Sequence, residues 1–528
     1  MRKIILFLSA IAMLSSFSQL SAQQVTAQAD SSQYPYWISM MQDPNANFFQ
    51  TQNAFNQYWA NRPITKGCGW KPFKRWESQM QNRVSSDGHM PAPDEVMNAY
   101  NSYVSQHDNS SSLAGTWISQ GPFDLPSKGY KGLGRINAIA FHPTNPDIIY
   151  IGAPAGGLWV STSGGNNWTT TTDVLPTLGV SAIAVDPVNP STIYIGTGDR
   201  DAGDAPGVGV MKSTDNGTTW QMSNTGMGNR IVADLLIDNS NPQILYAGTT
   251  SGFFKTTDGG NIWVQKTGSF KDIAFKPGNN NIIYGTQNGN FYKSSDAGEN
   301  WIQITAGLPD GARGVIAVTP ANPEMVYFLL AKSDDGFKGL YRSTDAGLTF
   351  TEMSVSPNIM DWSCDGSGTG GQAWYDLSLV ADPVNANIIY AGGVNVWKSS
   401  NGGANWQISG HWYGGCGVPS VHADQHIFTF NPINNRIYIG NDGGIYFTGN
   451  GGAQWPEIST GLAISQAYKI GQSATADDLV VNGYQDNGTS LFNVDSWTAI
   501  GIDLWNATVI DFVLDTLGWN TSSSLLAP

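Results

Sequence analysis

At 528 residues the chain is too long for one ordinary compact core, so it holds several domains or a repeat. Sixty-one glycines, 19 tryptophans and only 13% charged residues describe a turn-rich, aromatic-rich β composition and exclude a protein built from long surface helices. A net charge of −15 argues against nucleic acid as a partner and favours solubility.

Arg2 and Lys3 precede an apolar run over residues 4–13, and a polar stretch ends in Ser21-Ala22. That is the pattern of a secretory signal peptide over 1–22, which places the mature protein outside the cell or on its surface. The run is too short for a membrane span, and no later segment is long enough. Residues 23–114 are predicted to be a small helical region. Phe48, Phe55 and Trp59 recur at helical spacing after Asn47, as do Phe73, Trp76 and Met80 after Pro72. A third helix is predicted after Pro93, with Val96, Met97, Tyr100 and Tyr103 on one face.

From 115 to 501 the chain is periodic. Paired β-rich runs such as "INAIAFHPTNPDIIYIG" (136–152) and "VSAIAVDPVNPSTIYIG" (180–196) are joined by Pro-Asn turns, a hairpin signal. A third strand follows, then an eight-residue box like "STDNGTTW" (213–220), then a short fourth strand. Boxes start at 161, 213, 256, 294, 343, 399 and 448. Four strands per roughly 40–50 residues is the period of a β-propeller blade. An eighth unit without a box spans 467–501, and residues 502–528 form an atypical tail that fits no blade. About eight four-stranded blades are therefore predicted, with the ring open or poorly closed because the chain ends early.

The box reads as scaffold. Its Asp can accept backbone N–H bonds within the turn, its Gly suits a positive φ, and its Trp can bury a large area between blades. A catalytic group is needed once, not seven times. The Asp is replaced by Ser163, Asn401 and Asn450 in three copies.

Strands alternate in direction, so the Pro-Asn turns and the boxes share one face. The irregular segments fall on the other. They bring Asp199, Asp201, Asp204, Asp376, Asp442 and Asp486 to one rim, with Trp362, Trp374, Trp412 and Tyr413. Carboxylates beside exposed aromatics suit sugar stacking and acid–base chemistry, and they suit peptide binding equally. Each Asp-Gly pair is also an ordinary turn former. In "HADQH" (422–426), strand alternation would put His422, Asp424 and His426 on one side, where they either hold a divalent ion or bond neighbouring blades. "GDRDAGD" (198–204) spaces its oxygens somewhat like a calcium loop but lacks the distal Glu. No cofactor is required by this reading, and calcium or another divalent ion is the one candidate. Cys364 and Cys416 lie in neighbouring interblade links and are expected to pair, leaving Cys68 in the helical region.

The recurring box resembles the Asp-box, or BNR repeat, of secreted bacterial propellers. "GYQDNGT" (483–489) and "GNDGGIYFTGNGG" (440–452) are most similar to the sortilin-like and xyloglucanase-like branch. The resemblance implies a propeller over roughly 130–500 and leaves activity open, because the box is shared by hydrolases and receptors. Sialidases of this kind need an arginine cluster and an Arg-Ile-Pro motif; here Gly134-Arg135-Ile136-Asn137 stands instead. Xyloglucan-active enzymes carry a catalytic Asp in a Thr-Asp-x-Gly-Gly loop of the first blade, and Pro154 occupies that position in "GAPAGGLW" (152–159). The expected function is thus an exported propeller that binds a protein or glycan ligand on its irregular face. The alternative is a glycoside hydrolase using two rim carboxylates among Asp376, Asp442 and Asp486.

Overall fold

In the computed structural model, residues 36–43, 46–64, 70–106, 118–125, 131–203, 205–473, 479–493 and 496–501 are described. The predicted signal peptide over 1–22, Cys68, Asp204 and the tail over 502–528 lie outside them.

The chain divides into two compact units, one through Ala92 and one from Pro93 onward. In the first, the helices Tyr36–Gln42, Phe48–Trp59 and Trp70–Met80 close around Trp37, Phe48, Phe55, Phe73 and Trp76. Asn47 caps the second of these helices, its side chain accepting from the backbone N–H groups of Phe49 and Gln50. The helix Glu95–Gln106 falls in the second unit, with Tyr100 and Tyr103 exposed.

The second unit is mainly β and is a propeller. Eight antiparallel sheets follow in chain order, seven of four strands and one of three. The innermost strands of the first seven are Ala138–Phe141, Val180–Val185, Val232–Ile237, Asp272–Lys276, Arg313–Val318, Ser378–Ala381 and Gln425–Phe430. Each packs on the next, and the seventh packs back on the first. The expectation of an open ring is therefore corrected: seven blades close it. Leu133 N–H donates to the Gly443 carbonyl at 2.8 Å and Ile136 N–H to the Asn441 carbonyl at 3.0 Å, which lays the chain leading into blade 1 along blade 7. Leu133, Ile136, Ile149 and Ile151 then share one buried cluster with Tyr438, Ile445, Leu462 and Ile464. Blade 7 has a three-stranded ladder because its fourth run contains Pro456, which has no N–H to donate. Only a bridge between Tyr446 and Glu457 remains there.

All seven boxes make the same local bonds. The first hydroxyl accepts the fifth residue's N–H, as Ser213 does from Gly217 at 2.8 Å and Thr448 from Gly452 at 2.9 Å. The third side chain accepts the seventh residue's N–H: Asp215 from Thr219 at 2.8 Å, Asn401 from Asn405 at 2.9 Å and Ser163 from Asn167 at 3.1 Å. Any short oxygen acceptor closes this turn, which explains why Asn and Ser replace Asp. The box also joins blades. In blades 2, 3, 4 and 6 a lysine of the third strand reaches the next blade's box: Lys212 donates to the Gly259 carbonyl at 2.8 Å, Lys255 to Ala297 at 2.9 Å, Lys293 to Ala346 at 2.7 Å and Lys398 to Gly451 at 2.6 Å. The box indole of blade 3, Trp263, donates to the Ser223 carbonyl of blade 2 at 2.7 Å. Trp168 of blade 1 donates to the Ile458 carbonyl of blade 7 at 2.9 Å, the equivalent contact across the closure.

The eighth sheet, with strands Ala467–Gln472, Leu479–Tyr484, Gly488–Asn493 and Ser496–Gly501, is not part of the ring. Its turn over 484–488 rests on the irregular face. Gln485 Nε2 donates to the Tyr375 hydroxyl at 3.2 Å, and Asn487 Nδ2 to the Asp442 carbonyl at 2.9 Å.

Candidate active site

The loop between the second and third strands of blade 2 folds back on itself. Asp199 Oδ1 accepts the N–H groups of Asp201 at 3.0 Å and Ala202 at 3.3 Å, a short turn that aims the Asp201 side chain into the mouth of the ring. Asp199 and Asp201 are both buried. Asp199 Oδ2 pairs with Arg135 Nη2 at 2.6 Å, both side chains being fully enclosed. Asp201 Oδ1 takes Lys271 and Arg313 at 3.1 Å each, and its Oδ2 faces His426 Nδ1 at 3.0 Å. Burial alone would raise Asp201, but Lys271, Arg200 and His426 outweigh it and hold the carboxyl well below its ordinary value.

His426 is the hinge of the site. Its Nε2 lies 2.8 Å from Asp442 Oδ1, so one imidazole spans Asp201 and Asp442. Asp442 Oδ2 accepts the Tyr375 hydroxyl at 2.8 Å, and Arg135 Nη1 donates to that same hydroxyl at 3.1 Å. Burial opposes the charge on Asp442, yet His426, Arg135 and Tyr375 prevail and hold it at about 2. For His426 the balance runs the other way: burial disfavours its charge, but Asp442 and Asp201 raise its proton affinity.

Asp376 stands on the link into blade 6, fully buried, and burial pushes it up to about 8. Gln372 Nε2 donates to Asp376 Oδ2 at 3.1 Å and also to Asp424. Asp424 is raised well above the ordinary range by burial and by the charges of Asp376, Asp442 and Asp486. The carboxylate oxygens of Asp424, Asp442 and Asp486 lie within 4.8 Å of one another. They come from the link into blade 7, that blade's second turn and the eighth sheet.

The sequence-predicted trio of His422, Asp424 and His426 is not placed by strand alternation. The strand begins only at Gln425, and Asp424 has φ +68°, so alternation does not apply before it. His422 Nδ1 faces the Ala423 carbonyl at 3.3 Å, and burial lowers the ring to about 4. Asp424 turns to Gln372 and to Asp442 and Asp486, and His426 turns into the mouth. Trp362, Trp374 and Tyr413 are 48%, 45% and 63% exposed, while Trp412 is half-buried against Tyr413. Cys364 and Cys416 are joined in a disulfide, Cα–Cα 5.8 Å, linking the two loops that carry these aromatics. In blade 1 the equivalent turn carries buried Pro154 and no carboxylate.

Sequence reasoning missed Lys271, Arg313, Tyr375 and Gln372 as parts of the site. One signal was available. Lys271 immediately precedes an innermost strand and Arg313 opens one, so both stand at the mouth by position alone.

The chain is 27% identical over 268 residues to a xyloglucanase from Paenibacillus sp., a match covering 49% of this chain and 25% of that protein. It therefore spans about a quarter of the length of this curated relative. Its structure is similar to the GH74 xyloglucanase of Xanthomonas campestris, with TM-score 0.50, 18% identity, and 69% of this chain and 60% of that one covered. It is also similar to an ancestral GH74 enzyme, with TM-score 0.53, 17% identity, and 72% and 56% covered. At these identities the likeness establishes the β-propeller fold. No known family profile matches the chain.

Proposed function

We propose that this chain is a glycoside hydrolase acting on a polysaccharide, the alternative raised by the sequence, with the site at the Asp424–Asp442–Asp486 cluster rather than at two carboxylates among Asp376, Asp442 and Asp486. One observation carries the reading: carboxylate oxygens of Asp424, Asp442 and Asp486, from three separate segments, lie within 4.8 Å of one another. Burial and the neighbouring carboxylates raise Asp424 well above the ordinary range, while His426, Arg135 and Tyr375 hold Asp442 at about 2. Glycoside hydrolysis needs such a pair, one acid to protonate the leaving oxygen and one carboxylate to stabilise or attack the sugar. In this reading Asp424 is the proton donor and Asp486, the least buried of the three, is the reacting carboxylate. Asp442, with both oxygens engaged by Tyr375 and His426, supplies fixed negative charge. The similarity to xyloglucanases supports a glycan substrate, and the leader read over 1–22 suits a substrate outside the cell.

The test is release of reducing ends from a panel of plant and microbial polysaccharides by the whole protein. Asp424→Asn and Asp486→Asn should each reduce the rate by about 10²–10⁴-fold with unchanged circular dichroism. A folded wild-type protein that binds glycans through Trp362, Trp374 and Tyr413 and cleaves none would refute hydrolysis and leave the binding reading in its place.

A further inference from the structure

The link over 357–376 holds a second group of oxygens, outside the carboxylate cluster. Asp361, Ser363, Asp365 and Gly366 stand in the order D-x-S-x-D-G. A calcium loop opens this way: side-chain oxygens at positions 1, 3 and 5 and the carbonyl at 7 face one ion, and a glycine at 6 makes the sharp turn. Gly366 has φ +63°, as that turn requires. Asp361 Oδ2 accepts the Ser363 hydroxyl, and it accepts the Gly368 N–H at 2.9 Å. The same hydroxyl lies 3.2 Å from Asp365 Oδ1, which also accepts the Ser367 N–H at 3.1 Å. A serine has one proton to donate, so it cannot bond both carboxylates at once. Asp361 is 1% exposed, and its Oδ1 has no hydrogen-bond partner among the described residues. Nor does any lysine or arginine among them pair with Asp361 or Asp365. Enclosed carboxylates normally pair with a cation or coordinate a metal. The segment over 198–204, the calcium candidate by spacing, fails on this count, because Asp199 and Asp201 already face Arg135, Lys271 and Arg313.

We propose that residues 361–367 bind one calcium ion through the carboxylates of Asp361 and Asp365, the Ser363 oxygen and the Ser367 carbonyl. Oxygens about 3 Å apart are what neighbouring ligands of one ion show when each lies about 2.3–2.6 Å from it. Position 12, where a full loop carries a bidentate Glu, is Gln372, and its Nε2 is committed to Asp376 and Asp424. Water fills the remaining positions, and two carboxylates without the distal Glu put the affinity at about 10⁻⁴–10⁻³ M, the range of extracellular modules. The ion acts on the aromatic rim. Trp362 stands at position 2, and Cys364 at position 4 is bonded to Cys416 in the loop that carries Trp412 and Tyr413. Calcium therefore fixes both loops that present these rings, whether or not the protein cleaves a glycan.

Calorimetry and thermal melting of the whole protein, stripped with EDTA and titrated with calcium chloride, test this. One site at about 10⁻⁴–10⁻³ M is expected, and about 10 mM calcium should raise the melting temperature by about 2–5 °C. Asp365→Asn, at an exposed position, should melt like wild type without calcium and bind it at least about tenfold more weakly. Asp424→Asn should keep the calcium response. Terbium, a calcium-sized ion excited through a nearby indole, should luminesce with wild type and lose that signal in Trp362→Phe, which still binds calcium. The proposal is overturned by a wild type that does not respond to calcium, by an equal response to magnesium, or by a response that survives Asp365→Asn. A response lost in Asp424→Asn instead would place the ion in the acidic cluster and overturn it too.

Discussion

Trp168 lies where the ring closes, and replacing it tests whether blade 7 is the neighbour of blade 1. Its indole is 7% exposed in a cluster shared with Leu133, Tyr438 and Leu462, and its Nε1 donates to the Ile458 carbonyl at 2.9 Å. Truncation to Ala removes a buried aromatic, costing about 3–5 kcal/mol, and leaves a part-buried carbonyl without its donor, costing about 1 kcal/mol more. Against a total stability of about 5–15 kcal/mol, that loss is large enough to read directly. Trp168→Phe separates the two contributions: it keeps most of the packing and should cost about 1–2 kcal/mol. Trp263→Ala is the internal reference, because its indole is 2% exposed and makes the same contact between blades 2 and 3. Urea unfolding followed by tryptophan fluorescence and circular dichroism gives all three values. If Trp168→Ala lost less than about 1 kcal/mol while Trp263→Ala lost about 3–5, the closure described here would be wrong.

Further outcomes follow from other sites. Asp376 has a folded value of about 8 against about 3.9 when unfolded, so the folded state binds the extra proton between those limits. Its contribution is therefore present at low pH and lost as pH rises from about 4 to about 8; Asp376→Asn should flatten this decline and raise the melting temperature at pH 8 relative to wild type. Asp442 acts in the opposite sense: its depressed value of about 2 makes stability fall as pH drops from about 4 toward 2, and Asp442→Asn should remove that acid-side loss. Opening the Cys364–Cys416 loop, with its sequence separation of 52, should cost about 4 kcal/mol in the chain-entropy account, measured as the stability difference between wild type and Cys364→Ser/Cys416→Ser. Asp345→Ala removes the acceptor of the Leu348 and Thr349 N–H groups and should cost about 1–2 kcal/mol, leaving glycan affinity unchanged; a sharp loss of affinity would contradict the scaffold role of the box.

The sequence by itself determined everything that repeats. Hairpin turns, the seven boxes and their tolerance of Ser163, Asn401 and Asn450 rest on bonds within a few residues, so spacing alone reveals them. It also determined which face is irregular, because strand direction alternates. What it could not determine was where the ring closes. The eighth unit has four strands like the others, and only the packing of Leu133 and Ile136 against Tyr438 and Ile445 leaves it outside. Nor could it show the character of the site. Asp199 and Asp201 read as turn residues along the chain, but they meet Arg135, Lys271, Arg313 and His426, all far away in sequence. Protonation states depend on distance and burial, and those are properties of the closed ring.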